Sequence, residues 1–284
     1  MDQATKLRDQ VSHRKKAKKT KVISVTSGKG GVGKTQLVAN LAIALRAKGK
    51  EVLIFDGDMG LANIDIVYNI SPPYNLSHLV RGSKTIQEVL FKGPDGVQIL
   101  PAASGIQELT ALGSESKQAI VEQLDELEGM FDYVLIDTAA GISDNVMYLN
   151  TAAQYIFVVV TPEPTSITDA YALMKVLSSR YGEKQFHIVT NQVTSEAEAK
   201  TIFNSLLNAT DQFLDSIQLW HLHSFPFDSD VRKAITQQTP IIKFRQHSDL
   251  STSYVDLVKK VEALPIESPK GGIQFFIKQA IVGG

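Results

Sequence analysis

Three stretches of this chain combine residue types and spacings that can do chemistry. The first is Gly28, Lys29, Gly30, Gly31, Val32, Gly33, Lys34 and Thr35, in which Gly28 and Gly33-Lys34-Thr35 satisfy G-x-x-x-x-G-K-[ST]. Glycines at this spacing let the backbone approach a polyphosphate and turn its N–H groups toward it, and a helix starting near Gln36 adds favourable potential for the anion. Lys34 is expected to reach the outer phosphates and the Thr35 hydroxyl to ligate Mg²⁺. The second is Asp56-Gly57-Asp58, two carboxylates just beyond an apolar run. The third is Asp137, which ends another apolar run and is followed by Thr138-Ala139-Ala140-Gly141. Carboxyl ends of strands are where open α/β sheets bind ligands.

The elements around these residues alternate. Short apolar runs at 22–26, 52–55, 97–100, 133–136, 155–160, 187–190 and 217–222 predict strands buried on both faces. Amphipathic runs at 36–48, 114–129, 168–181, 197–207 and 250–263 predict helices between them. The rhythm implies one doubly wound, mostly parallel α/β domain over residues 21–265. Length alone, 284 residues, would have allowed two domains. A composition of 43% hydrophobic and 21% charged residues excludes a mostly disordered chain. With no cysteine, disulfide scaffolds, thiolate nucleophiles and cysteine-based zinc or iron–sulfur sites are excluded too.

A net charge of -1 conceals a split: residues 1–21 carry eight basic against two acidic side chains, and the remainder of the chain is acidic. No secretory leader is expected, and no apolar run is long enough to span a bilayer. After Pro265, a segment broken by Pro269, Gly271 and Gly272 leads to Ile273, Phe276, Ile277, Ala280 and Ile281. These fall on one side of a helix with Gln274, Lys278 and Gln279 on the other. About ten helical residues span roughly 15 Å, enough to lie in a membrane interface and too little to cross it. The same helix could instead pack on the protein as a last core element.

Lys29 has no task in a generic phosphate loop. With it, K-G-G-x-G-K-T resembles the deviant Walker A motif of the MinD/ParA family of dimerising ATPases. The resemblance spans nearly the whole chain and implies ATP and Mg²⁺ as ligands. It also implies a homodimer in which Lys29 contacts the partner's phosphates. By the same resemblance Asp58 orients or polarises the attacking water, Asp56 and Asp137 belong to the Mg²⁺ shell, and Gly141 senses the γ-phosphate in switch II. Asn191 and the turn Pro226-Phe227-Asp228 would contact the base, and Glu163 the partner's nucleotide. Ala139 stands where the family often has proline, which could loosen the switch.

Asp2, Gln3, Ala4, Leu7 and Arg8 match the D-Q-A-x-x-L-R activator motif of the flagellar-number regulators in that family. This resemblance implies stimulation of FlhF, a GTPase of the signal-recognition-particle type, and as further partners flagellar C-ring proteins and a flagellar transcription regulator. It also implies that the tail binds the inner face of the cell membrane in the ATP state. A division-site selector and a DNA-partitioning ATPase are the alternative readings. Direct nucleic-acid binding is not expected, because no aromatic residues interleave the basic run. His221 and His223, two apart in a predicted strand, should face one side as a structural pair rather than a metal site.

Overall fold

The structure, a computed structural model, describes residues 20–58, 63–102 and 120–265, with 121, 125, 128, 215 and 216 left out. The partner-activation residues Asp2, Gln3, Ala4, Leu7 and Arg8, the tail residues Ile273, Phe276, Ile277, Ala280 and Ile281, and most of the predicted helix at 114–129 lie outside them.

Among the described residues eight strands form one sheet: β1 Lys21–Ser27, β2 Val52–Gly57, β3 Phe91–Lys92, β4 Gln98–Pro101, β5 Tyr133–Ala140, β6 Tyr155–Val160, β7 Gln185–Val193 and β8 Gln218–Pro226. Their order is β3-β4-β2-β5-β1-β6-β7-β8, and every pairing is parallel except β3 with β4. The described helices with assigned bounds are α1 Lys34–Ala47, α2 Asn63–Tyr68, α3 Leu76–Val80, α4 Ile86–Val89, α5 Asp144–Thr151, α6 Pro164–Tyr181, α7 Glu196–Phe213, α8 Asp230–Thr236, α9 Ile241–Phe244 and α10 Asp249–Ala263. The doubly wound reading holds, with corrections at the margins. The helix expected from residue 36 begins at Lys34, the one expected from 168 begins at Pro164, and the last two strands run on to Val193 and Pro226. Most of the added residues are polar or prolines, and they interrupt the apolar pattern before Ile167, Val193 and Phe225 are reached.

Alternation along the strands sorts the core onto two faces. Ile23, Val25, Phe157 and Val189 pack with α1 and α10 on one face. On the other, Leu53, Phe55 and Ile136 join α3 and α4, while Ile156, Val158 and Ile188 join α6 and α7. Between those two clusters β1 presents Ser24 and Thr26, both fully buried. Asn150 of α5 satisfies them, accepting from Ser24 Oγ at 2.8 Å and donating to Thr26 Oγ1 at 3.2 Å.

His221 and His223 do not share a face. The β7–β8 register shifts between Ile188 and Val189, which pair with His221 and His223, so a bulge intervenes. His221 stacks 5.3 Å from Phe203 of α7, whereas His223 lies 4.7 Å from Phe225 and bonds Ser253 of α10 at 2.7 Å.

His187 is buried between Tyr155, edge-on at 5.4 Å, and Phe157 at 5.7 Å, with no hydrogen-bond partner at Nδ1. Burial pushes its pKa down from 6.5 to about 4. The unfolded chain therefore binds a proton that the folded chain refuses, and stability falls as pH drops from 6.5 toward 4. His187→Phe is expected to remove on the order of 2 kcal/mol of that acid-side loss. Urea unfolding at pH 7 and pH 4.5 checks this: an unchanged difference between the two pH values refutes it.

Candidate functional site

The chemistry-bearing residues converge at the carboxyl ends of six strands. β1 delivers the glycine loop and α1, β2 delivers Asp56 and Asp58, and β5 delivers Asp137 through Gly141. β6 leads to Glu163, β7 ends near Asn191, and β8 ends at Pro226. Parallel register makes Asp56 and Asp137 direct neighbours across β2 and β5, with Val25 facing Asp137 on the other side.

Gly33 is the N-cap of α1 at φ 99°, a left-handed conformation that L residues avoid, and a Cβ there would lie 2.4 Å from Asn191 Nδ2. Gly28 is required for a different reason: a Cβ would sit 2.1 Å from the Asp169 carbonyl oxygen, so α6 closes on the start of the loop. α1 has no acidic residue in its first turn, which leaves its positive end open to an anion.

Lys34 points into this cradle. It is 7% exposed and donates from Nζ to Ser27 Oγ at 3.1 Å, while that hydroxyl donates to the Lys29 carbonyl at 2.6 Å. Burial pulls the Lys34 pKa down, and Asp137 and Asp58 pull it partly back. Opposite, Asp137 is fully buried and neither of its oxygens has a hydrogen-bond partner. Burial raises its carboxyl to about 7, against the nearby Thr35 hydroxyl and the Lys34 charge. Asp56, with Oδ1 buried and unpartnered, is raised to about 8 by burial and by Asp137 beside it. Two adjacent buried carboxylates with three oxygens unsatisfied, next to a threonine hydroxyl, form an oxygen donor set that suits a hard divalent cation. Thr35, Asp56 and Asp137 could hold Mg²⁺.

Gly141, at φ 98°, donates its N–H to the Ser27 carbonyl at 2.9 Å. The β1–β5 register shifts between Val25 and Ser27, so β5 carries an extra residue there, and Thr138 Oγ1 donates to the Val25 carbonyl at 3.1 Å. β5 continues through Ala140, and Ala139 packs against the apolar cluster under α6.

On the other side of the loop lies a cleft of about 510 Å³ lined by Gly31, Gly33, Gln36, Asn191, Pro226, Phe227 and Asp228, with Val231, Arg232 and Tyr254 beyond. Its size and largely apolar wall suit a nucleoside. Asn191 is brought here and also braces the loop, donating from Nδ2 to the Val32 carbonyl at 2.7 Å and accepting from the Gln192 N–H at 2.9 Å. Asp228 accepts from the Asp230 N–H at 2.8 Å.

Lys29 stands apart from this cradle. Its ammonium pairs with Glu163 and donates to Thr165 Oγ1 at 2.9 Å, both at the start of α6 in the same chain. Sequence reading missed Ser27, Thr165, Arg232 and Tyr254. Ser27 abuts the motif and could have been flagged; the others carry no local pattern.

A family model for ParA, described as NUBPL iron-transfer P-loop NTPase, matches residues 18–262. Antiactivator FleN of Pseudomonas aeruginosa is 38% identical over 261 residues, covering 92% of this chain and 93% of that protein. Flagellum site-determining protein YlxH of Helicobacter pylori is 32% identical, covering 92% and 90% respectively. Among solved structures, septum site-determining protein MinD of Pyrococcus horikoshii complexed with Mg-ADP superposes with a TM-score of 0.66 at 25% identity, covering 86% of this chain and 97% of that one. With the loop, the acidic strand ends and the sheet order in place, the chain belongs to the ParA/MinD family of P-loop NTPases.

Proposed function

We propose that this chain is an ATP-driven switch that dimerises, associates with a membrane surface and regulates flagellar number or placement. The observation that carries the dimer is the position of Lys29. Lys34 fills the loop's own cradle, while Lys29, with its side chain 34% exposed, is held at the rim by Glu163. A rim cation is placed to serve the nucleotide of a facing copy, as an arginine finger does. Ile142, half-exposed beside Gly141, offers apolar surface at the same edge.

In this reading the glycine loop, Lys34 and the α1 N-terminus bind the triphosphate, and Asn191 with Pro226, Phe227 and Asp228 selects adenine. Thr35, Asp56 and Asp137 would hold Mg²⁺, which would supply positive charge to offset that of the triphosphate. Asp58 orients the attacking water, and Lys29 of the facing copy stabilises charge on the transferred phosphoryl group. Gly141, anchored to Ser27, couples the γ-phosphate to switch II. The flagellar assignment draws on the similarity to FleN and YlxH, with Asp2, Gln3, Ala4, Leu7 and Arg8 as the segment that stimulates the GTPase FlhF. C-ring proteins and a flagellar transcription regulator are the further partners, and the tail from Ile273 to Ile281 is the membrane element.

Asp58→Ala is expected to form an ATP-dependent dimer in light scattering while losing at least roughly a hundredfold in turnover; a monomer under ATP refutes the switch. Lys29→Ala is expected to bind ATP but not hydrolyse it. Mixing the two inactive variants places an intact Asp58 opposite an intact Lys29 in every mixed dimer, so about a quarter of the wild-type rate should return. No recovery on mixing shows that Lys29 acts within its own chain. A peptide of residues 1–20 should accelerate GTP hydrolysis by FlhF, and Arg8→Ala should abolish this. An inert wild-type peptide removes the flagellar branch and favours the division-site reading.

A further inference from the structure

The cleft beside the glycine loop has two unlike walls. Asn191 and the turn Pro226-Phe227-Asp228 bring polar atoms to it, whereas α8 brings Val231 and Ile235, with Ile241, Leu250 and Tyr254 completing the apolar side. Positions 231 and 235 lie one helical turn apart, and position 232 flanks the stripe they make. Among the described residues Arg232 is the one cation that lines this cleft, and it stands at the margin of the apolar wall. Phe227 and Ile235 are 63% and 45% exposed there, so the wall presents apolar surface that a ligand would cover.

The charges around Arg232 leave its guanidinium for another use. Asp230, the carboxylate on the same helix, takes Lys233 Nζ at 2.7 Å and also pairs with Arg245. Asp228 accepts from the Asp230 N–H. Thr236 Oγ1 donates to the Arg232 carbonyl at 2.9 Å, a bond that leaves the guanidinium untouched. The phosphate end of the cleft has its own donors in the glycine loop, Lys34 and the amino-terminus of α1. Arg232 reaches the cleft from the opposite wall, on the helix that follows the turn at Pro226.

We propose that Arg232 lays its guanidinium against the face of a purine base in this cleft and so sets a preference for purine over pyrimidine nucleotides. The proposal rests on the nucleotide reading above and adds to it a specificity residue outside the turn Pro226-Phe227-Asp228. A guanidinium is planar, delocalised and more weakly hydrated than an ammonium, so it stacks on an aromatic face at smaller desolvation cost. The attraction of a cation to a ring face grows as water is excluded, and the side chains of Val231 and Ile235 exclude it along this wall. A purine extends one ring farther from the ribose than a pyrimidine does, which gives α8 a face that the smaller base lacks. Contact with a face is indifferent to the groups on the ring edge. Adenine and guanine therefore gain alike from Arg232, and the choice between them falls to Asn191 and the turn.

The test uses the full chain with Mg²⁺ and the diphosphates ADP, GDP and CDP, whose binding calorimetry reads without turnover. Wild type should bind ADP at least roughly tenfold more tightly than CDP. Arg232→Ala should lose roughly tenfold in affinity for ADP and for GDP and change by less than about twofold for CDP. Arg232→Lys, which keeps the charge and loses the plane, should resemble Arg232→Ala. Arg232 is exposed, so neither variant opens a cavity in the core. Unchanged ADP affinity in Arg232→Ala overturns the proposal, and so does full affinity in Arg232→Lys. An equal loss for ADP and CDP overturns it by assigning the charge to the phosphates, and a loss confined to GDP overturns it by placing the guanidinium on the base edge. A wild type that binds ADP and CDP equally overturns the base reading of the cleft, and one that binds neither overturns the nucleotide reading itself.

Discussion

The fold is organised around a cluster of buried ionisable groups whose polar atoms the protein does not satisfy by itself. Asp56 and Asp137 are register partners on adjacent parallel strands, Lys34 faces them from the first turn of α1, and three of their carboxylate oxygens find no hydrogen bond. A hydrophobic pair at those positions would stabilise the bare fold. Retaining the charges makes sense where a polyphosphate and a cation complete them, because the ligand then returns the desolvation cost as binding energy. The unusual backbone around the cluster serves the same end: glycine at φ 99° opens α1, and glycine at φ 98° closes β5 onto β1.

β1 connects this edge to the opposite one. Its central position gives it an apolar face toward α1 and α10, while Ser24 and Thr26 on the other face are matched by Asn150 at the seam between two apolar clusters. A polar seam fixes register where apolar packing alone would tolerate sliding. The strand is thereby pinned at both ends, by Lys21 to the carboxyl end of α10 and by Ser27 to both Lys34 and Gly141.

What could be read from sequence was what depends on neighbours along the chain. The glycine loop, the acidic strand ends and the apolar runs are local, and they predicted the doubly wound sheet and the strand ends that meet at the site. The pairing of Lys29 with Glu163 spans 134 positions and depends on β1 and β6 lying side by side, so no window of sequence contains it. The opposite facing of His221 and His223 escaped for a related reason: a bulge exists only relative to a partner strand, and period-two reading assumes there is none. The small antiparallel addition of β3 to β4 is two residues long, too short for any period.

Two of the register shifts fall at the functional edge. One lies between Val25 and Ser27 opposite Asp137 and Ala140, and the other between Thr190 and Val193, where Gln192 adopts φ 60°. An extra residue at a strand's carboxyl end breaks the ladder and frees backbone groups that a regular strand would consume. At β5 this turns Gly141 back toward Ser27; at β7 it lets Asn191 reach the Val32 carbonyl of the phosphate loop. The loop is thus held from both sides by strands that depart from regular pairing where a ligand would lie, and movement of the loop on ligand binding would be felt at β5 and β7 together. That link joins the phosphate loop to the strand ends on both of its sides.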